Sequence, residues 1–404
     1  MRACLFLTTL VLAMGCKPAR PSAPPEPAPS GPKAVVADIE IDMGGEGRKA
    51  RVPQDLDVLL DEVRERSSVP GIAAAVIDAS GVLAIGASGQ RRADEAAPLQ
   101  TGDLFHLGSD TKAMTALLVA RLVEAGVLRW DMTMQEAFGD HAAAMHPDFR
   151  EVTLTQLLRH RAGVALAVTD FPPGLLGRLE PIEPGQRRRA VALEALALKP
   201  RFTPGSKFEY TNFGYVIVGA AIEQATSHSW EAELKSRVFD PLEMDSCGFG
   251  PTATGDERSQ PWAHADQGDA FVPVELDNPA FLGPAGTVHC SLEDWGRFAA
   301  VFFDGASFVS ADSIDQLTSP VPKDDGRGGG YALGWAVPEP DAFGIPVLTH
   351  DGSNTFNYAS IIVMPSLGAA VLVAVNAGGE RAQTAAVAAA LELARRTRGP
   401  LDEP

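Results

Sequence analysis

The sequence predicts an α/β body of the α+β kind, a mainly antiparallel sheet flanked by N- and C-terminal helices, with a helical portion inserted at about residues 112–300. Strand-like apolar runs cluster near both ends of the chain, a helix-forming segment accompanies each cluster, and the middle is dominated by helical spacing.

Asp55 to Arg66 carries Leu56, Leu59, Leu60 and Val63 at helical spacing, and Pro70-Gly71 ends it. Ile72 to Ile77 and Val82 to Ile85, joined by a turn at Asp78 to Gly81, read as a hairpin. Met114 to Val123 is apolar almost all round, with Gly126 as its C-cap, so this helix is expected to be buried. Helical patterns follow at Leu154 to Leu158, Ala190 to Leu198, Asn212 to Ala225 and Leu292 to Phe303. Three more strands are expected at Pro346 to Leu348, Tyr358 to Met364 and Ala369 to Val375, before a closing alanine-rich helix over Ala382 to Arg396.

Of the 404 residues, 45% are hydrophobic and 21% charged, enough apolar material for a large core. The formal charge of -18 argues against nucleic acid and anionic lipid surfaces, which need basic patches. The eight histidines show no His-Glu-x-x-His spacing, so a metal hydrolase has no local support.

Residues 1–16 read as a secretory signal: Arg2, then the apolar run Leu5 to Met14, too short to span a bilayer, then Gly15-Cys16. Ala13-Met14-Gly15-Cys16 resembles the lipobox of bacterial lipoproteins, which makes Cys16 the expected lipidation site and a membrane-attached body the expected form; an ordinary cleaved signal is the alternative. Residues 17–50 form the expected tether, with seven prolines between Lys17 and Lys33, and 51–398 the folded domain. Cys4 lies in the signal, leaving Cys247 and Cys290, which either pair or stay as buried thiols.

Three clusters carry chemistry. In Ser109-Asp110-Thr111-Lys112 a hydroxyl and an amine three apart share a helix face, where burial lowers the pKa of the lysine and the helix N-terminus favours an anion at the serine. The bland reading is a capping serine and a solvated lysine. In Phe202 to Tyr215, Pro204-Gly205 marks a turn, and Tyr210 and Asn212 stand two apart at a helix start, a position for a general base and an amide donor or for ordinary packing and turn residues. In Leu348 to Asn354, strand alternation puts His350 and Gly352 on one face, where Gly352 leaves room for a substrate backbone and the N–H of Ser353 is an oxyanion donor. A simple turn is the competing reading.

The order Ser-x-x-Lys, Tyr-x-Asn, His-x-Gly resembles the serine β-lactamase and penicillin-binding protein superfamily, in the branch of class C β-lactamases, D-alanyl-D-alanine carboxypeptidases, D-aminopeptidases and family VIII esterases. Val69-Pro-Gly71, Leu157-Leu-Arg-His-Arg-Ala-Gly163, Phe202-Thr-Pro-Gly205, Pro241-Leu-Glu-Met244, Gly286 to Ser291 and Tyr331-Ala-Leu-Gly-Trp335 match its habits over about residues 55 to 395. The resemblance implies a β-lactamase/transpeptidase-like fold and a serine hydrolase. Ser109 attacks an acyl carbon, Lys112 and Tyr210 share the proton traffic, the N–H groups of Ser109 and Ser353 hold the oxyanion, and Asn212 positions the substrate amide or Lys112. It implies no metal or cofactor, and a small-molecule or peptidoglycan-fragment substrate at the bacterial cell envelope.

Two departures stand out. His350-Asp351-Gly352 replaces the Lys-Thr-Gly common in β-lactamases and carboxypeptidases, so a partly charged His350 is expected to grip a free carboxylate less firmly, favouring ester or peptide chemistry. Arg159 and Arg161 flank His160 where small hydroxylated residues are usual, and are read as loop charges. Against the hydrolase stand a non-hydrolytic module that binds penicillin or cell-wall peptide and a structural spacer, the latter requiring three ordered motifs to be accidental.

Overall fold

The structure, a computed structural model, describes residues 56–166, 183–304, 308–323, 328–339 and 343–399. The expected signal, the Cys16 lipid site and the proline-rich tether lie outside the described residues.

The main sheet has eight strands, all antiparallel. They are β1 (Gly71–Asp78), β2 (Gly81–Gly89), β8 (Val321–Pro322), β9 (Gly330–Tyr331), β10 (Ala336–Val337), β11 (Leu348–Ser353), β12 (Tyr358–Met364) and β13 (Ala369–Val375), in the order β2-β1-β13-β12-β11-β10-β9-β8. Strands from the early and late parts of the described chain pair within this sheet, Ile72 with Val375 and Asp78 with Ala369. A smaller sheet joins β3 (Leu104–His106), β7 (Val288–Ser291) and β4 (Gly248–Phe249), and a hairpin pairs β5 (Ala263–Asp266) with β6 (Phe271–Val274).

The central strands are apolar on both faces because both faces are covered. Ala73, Ala75 and Ile77 enter one core with Trp295 and Phe298, while Ile72, Ala74 and Val76 enter another with Leu60 and Ala386. Helices Leu56–Ser67 and Gly379–Arg398 form the second layer. Helix Leu292–Asp304 covers the opposite face, against β1, β2 and β13. It therefore belongs to the sheet body, a correction to the expectation that placed it in the inserted helical portion; its spacing of Leu292, Trp295, Phe298, Ala299 and Phe302 marks one apolar stripe but cannot say which layer that stripe meets.

The inserted portion centres on helix Thr111–Glu124, which is buried from Thr111 to Ala120 as its all-round apolar sequence demands. Helices Asn212–Thr226 and Trp230–Leu234 and the turn Gly283–Gly286 pack around it. Thr111 Oγ1 accepts from the N–H of Val288 (3.2 Å) and Thr115 Oγ1 donates to the carbonyl of Pro284 (2.8 Å), stitching the helix to the 284–288 segment. Cys247 and Cys290 form a disulfide, which settles for pairing the two states open to them.

Candidate active site

Ser109 lies in the 3₁₀ turn Gly108–Asp110 that leads from β3 into helix Thr111–Glu124. Asp110, not Ser109, occupies the N-cap position, and the helix has no side-chain cap bond. Ser109 is partly exposed in a neighbourhood that is otherwise buried. One turn on, Lys112 is fully buried, and its Nζ stands 2.8 Å from each of three oxygens: Ser109 Oγ, Asn212 Oδ1 and the carbonyl of Ala285. Burial, opposed in part by Asp110, lowers its pKa to about 7.

These three contacts decide what the amine can do. A neutral amine has two N–H donors and one lone pair. The Ala285 carbonyl and Asn212 Oδ1 are acceptors and take the two donors, so the lone pair faces the Ser109 hydroxyl. The bland reading of a solvated lysine does not describe this residue.

Tyr210 stands over Lys112, with the Nζ 4.9 Å from its ring centroid, and much of its side chain is open to solvent. Its hydroxyl end is enclosed, and burial pushes the phenol above its ordinary value against the pull of a hydrogen bond with Ser109. Tyr210 is therefore a neutral phenol in the resting site. Asn212 is the first residue of helix Asn212–Thr226, whose N-cap Thr211 accepts from the N–H of Phe213.

Sequence reasoning missed the group that holds Tyr210. The carbonyl of His160 accepts from the N–H of Glu209 (2.9 Å) and its Nδ1 accepts from the N–H of Thr211 (3.2 Å), so one histidine pins the backbone on both sides of Tyr210. Its ring lies 4.3 Å from that of Tyr210 and 4.8 Å from that of Tyr331, and burial holds it well below the usual histidine range, hence neutral. Only its presence in the Leu157 to Gly163 segment hinted at this. The flanking arginines serve the loops: Arg159 donates to the carbonyl of Ser319, and Arg161 to those of Gly205 and Pro322.

On β11 the alternation is as expected, with His350 and Gly352 buried and Asp351 and Ser353 exposed. The use made of that face differs. His350 has Nε2 3.0 Å from Tyr331 Oη and Nδ1 2.9 Å from the carbonyl of Asp351 and 3.2 Å from Asp110 Oδ1. Burial, helped by Lys112, lowers its pKa to about 3, so it is neutral and both nitrogens are engaged within the protein. It offers a substrate carboxylate no charged grip, where a partly charged His350 was expected to keep a weakened one. The Asp110 carboxyl, buried and near Asp351, is pushed well above the usual range.

The space beside Gly352 is likewise filled by protein: a Cβ there would lie 1.9 Å from the Leu107 carbonyl oxygen and 3.0 Å from the Ser109 nitrogen. This corrects the reading of Gly352 as room for a substrate. It brings β11 against the turn that carries Ser109, with the Ser353 backbone next to Gly108. Among the described residues, no group of three or more His, Cys, Asp or Glu side chains is placed to hold a metal ion.

A family model described as Beta-lactamase matches residues 56–394. Penicillin-binding protein 4 of Amycolatopsis lactamdurans is 28% identical over 333 residues, 79% of this chain and 84% of that protein. The unguisins hydrolase of Aspergillus campestris is 24% identical over 338 residues, 80% of this chain, and the match spans 61% of that protein's length. Among solved structures, the octameric penicillin-binding protein homologue from Pyrococcus abyssi superposes with a TM-score of 0.67 at 25% identity, over 84% of this chain and 77% of that one.

Proposed function

The chain belongs to the beta-lactamase family, and from that membership we propose that it is a serine hydrolase that forms an acyl-enzyme on Ser109 and acts on an ester or amide, a D-amino-acid peptide of the peptidoglycan type or a small ester. The observation that carries this reading is the triple contact of Lys112, which leaves a lone pair for the Ser109 proton.

In the proposed cycle the Ser109 oxygen attacks the acyl carbon as its proton passes to Lys112 Nζ. The N–H groups of Ser109 and Ser353 hold the oxyanion. On collapse, the bond to the leaving group breaks, and the leaving atom takes a proton from the Tyr210 hydroxyl, which is refilled from Lys112. Water then attacks the acyl ester by the same route and restores Ser109. Asn212 and the Ala285 carbonyl hold the amine in place throughout.

The closed environment of His350 supports a substrate without a free carboxylate at that end, and so, within the proposed classes, favours a small ester or an amidated D-amino-acid substrate over a carboxylate-bearing peptide or β-lactam. The relative named as a hydrolase supports turnover, and that named as a penicillin-binding protein supports the binding of a penicillin-like compound. Export to the cell envelope, with Cys16 lipidated, remains part of the proposal. The Cys247–Cys290 disulfide supports export, because such bonds persist in oxidising compartments.

The test is covalent labelling of the intact protein by a fluorophosphonate and by a fluorescent penicillin. It is run beside turnover of short nitrophenyl esters, D-amino-acid amides and a chromogenic cephalosporin, with Ser109→Ala as control. Labelling and ester or amide turnover, both lost in the control, are expected. A stable penicillin adduct without turnover would replace the hydrolase with a binding protein, and no labelling of folded protein would end the reading.

A further inference from the structure

The two proposed oxyanion donors sit on segments far apart in the chain, and each has a buried polar side chain beside it. His106 precedes Ser109 by three residues and Asn354 follows Ser353. Both reach the same oxygen. His106 Nε2 lies 2.9 Å from Asp277 Oδ1, and Asn354 Nδ2 donates to it at 2.8 Å, with the N–H of Asn278 a third neighbour at 2.6 Å.

Each partner is committed on its other side to the backbone that carries a donor. His106 Nδ1 accepts from the N–H of Gly108 (3.1 Å), while its Nε2 approaches Asp277 Oδ1 closely without hydrogen-bond alignment, so on this side the link to Asp277 is a buried polar contact. Asn354 Oδ1 accepts from the N–H groups of Phe356 (3.1 Å) and Asn357 (2.8 Å), closing the turn after Ser353. His106 and Asn354 are 2% and 3% exposed, so water does not replace these contacts. The neighbouring Asn278 donates through Nδ2 to the carbonyl of Gly286 (2.7 Å), next to the Ala285 carbonyl that receives Lys112.

We infer that Asp277 is a positioning residue that sets the spacing of the two oxyanion donors, holding the Ser109 turn through His106 and the Ser353 turn through Asn354. This rests on the acyl-enzyme reading above. A carboxylate suits the task because it accepts several hydrogen bonds at once, and bonds to a charged acceptor are shorter and stronger than neutral ones. Asp277 touches no reacting atom. It acts on the rate because an oxyanion hole stabilises charge only where its donors are held in advance.

The test compares Asp277→Ala and Asp277→Asn with the native protein. Hydrogen–deuterium exchange of the segments at residues 104–110 and 350–357 is expected to accelerate about tenfold or more in Asp277→Ala while β13 stays protected. On the best ester substrate kcat is expected to fall about 10- to 100-fold with KM within about twofold, since the lost interaction belongs to the transition state. Asp277→Asn keeps an acceptor oxygen and should recover most of both. Unchanged exchange in the two segments overturns the inference. So does a loss of rate that only tracks the loss of folded protein. If the native protein turns over no ester or amide, the function reading fails, and the exchange measurement still decides whether Asp277 couples the two turns.

Discussion

Gly108 and Gly352 meet backbone to backbone. A Cβ on Gly108, which holds a φ of +51°, would lie 2.3 Å from the Ser353 nitrogen, and a Cβ on Gly352 would lie 1.9 Å from the Leu107 carbonyl oxygen. Each obstacle is main chain, which cannot swing aside as a flexible side chain can. The pair therefore fixes how closely the turn bearing Ser109 approaches the end of β11. Gly352→Ala is expected to cost about 1–3 kcal/mol of stability through overpacking, and to reduce turnover about 100-fold or more by displacing an oxyanion donor. Thermal unfolding and kcat on a nitrophenyl ester check the two effects separately, and native turnover in the alanine variant would show that the close approach is dispensable.

The Lys112 pKa of about 7 gives the reaction a pH signature. Below that value Nζ is an ammonium without a lone pair and cannot take the Ser109 proton; above it the free amine predominates. The value of kcat/KM should therefore rise with pH through about 7 with the slope of a single ionisation and then level off. A rate profile from pH 5 to 9 checks this, and a flat profile would remove Lys112 as the base. His350, lowered to about 3, does not titrate in that range.

His350 then becomes a residue of the wall. Removing it takes one partner from the Tyr331 hydroxyl, which keeps Tyr215, and leaves Asp110 Oδ1 without the His350 nitrogen. His350→Ala should cost about 1–3 kcal/mol of stability and leave the midpoint of the pH profile in place. His350→Lys should bring no preference for substrates with a terminal carboxylate, because the new ammonium would be drawn to Asp110 within the wall. The measurement is kcat/KM on a matched pair of substrates, one with the carboxylate and one with its amide. A gain on the acid would mean that the position faces the cleft after all.

These corrections show where sequence stops being informative. The terminal helices, the β1–β2 hairpin, β12 and β13 were legible because each is an apolar run long enough to carry its own period and bounded by turn residues. Strands β8, β9 and β10, two residues each, have no period to read and exist through pairing with their neighbours. At β11 a strand and a simple turn competed over Leu348 to Asn354, because Thr349 to Ser353 is polar and small; the strand runs to Ser353, its inner face closed by the backbone at Leu107 to Ser109 rather than by apolar side chains. Ser109 and Lys112 could be paired from their spacing alone. The grip of His160 on Tyr210, and that of Asp277 on His106 and Asn354, join residues remote in the chain and leave no local signature.

The Cys247–Cys290 bridge closes a sequence separation of 43 residues and ties the segment before β4 to β7. By the chain-entropy argument a loop of that length stabilises the fold by about 4 kcal/mol. Cys290 pairs across the sheet with Phe105 of β3, the strand that leads to Ser109, yet neither sulfur belongs to the Lys112 and Tyr210 cluster. Reduction, or Cys247→Ser with Cys290→Ser, is therefore expected to lower the denaturation midpoint without changing kcat while the protein stays folded. Guanidinium unfolding with and without reductant, beside ester turnover at low temperature, checks this. Two titratable thiols in the native protein, with unfolding indifferent to reductant, would show that the cysteines stay apart and would take away the support that their pairing lends to export.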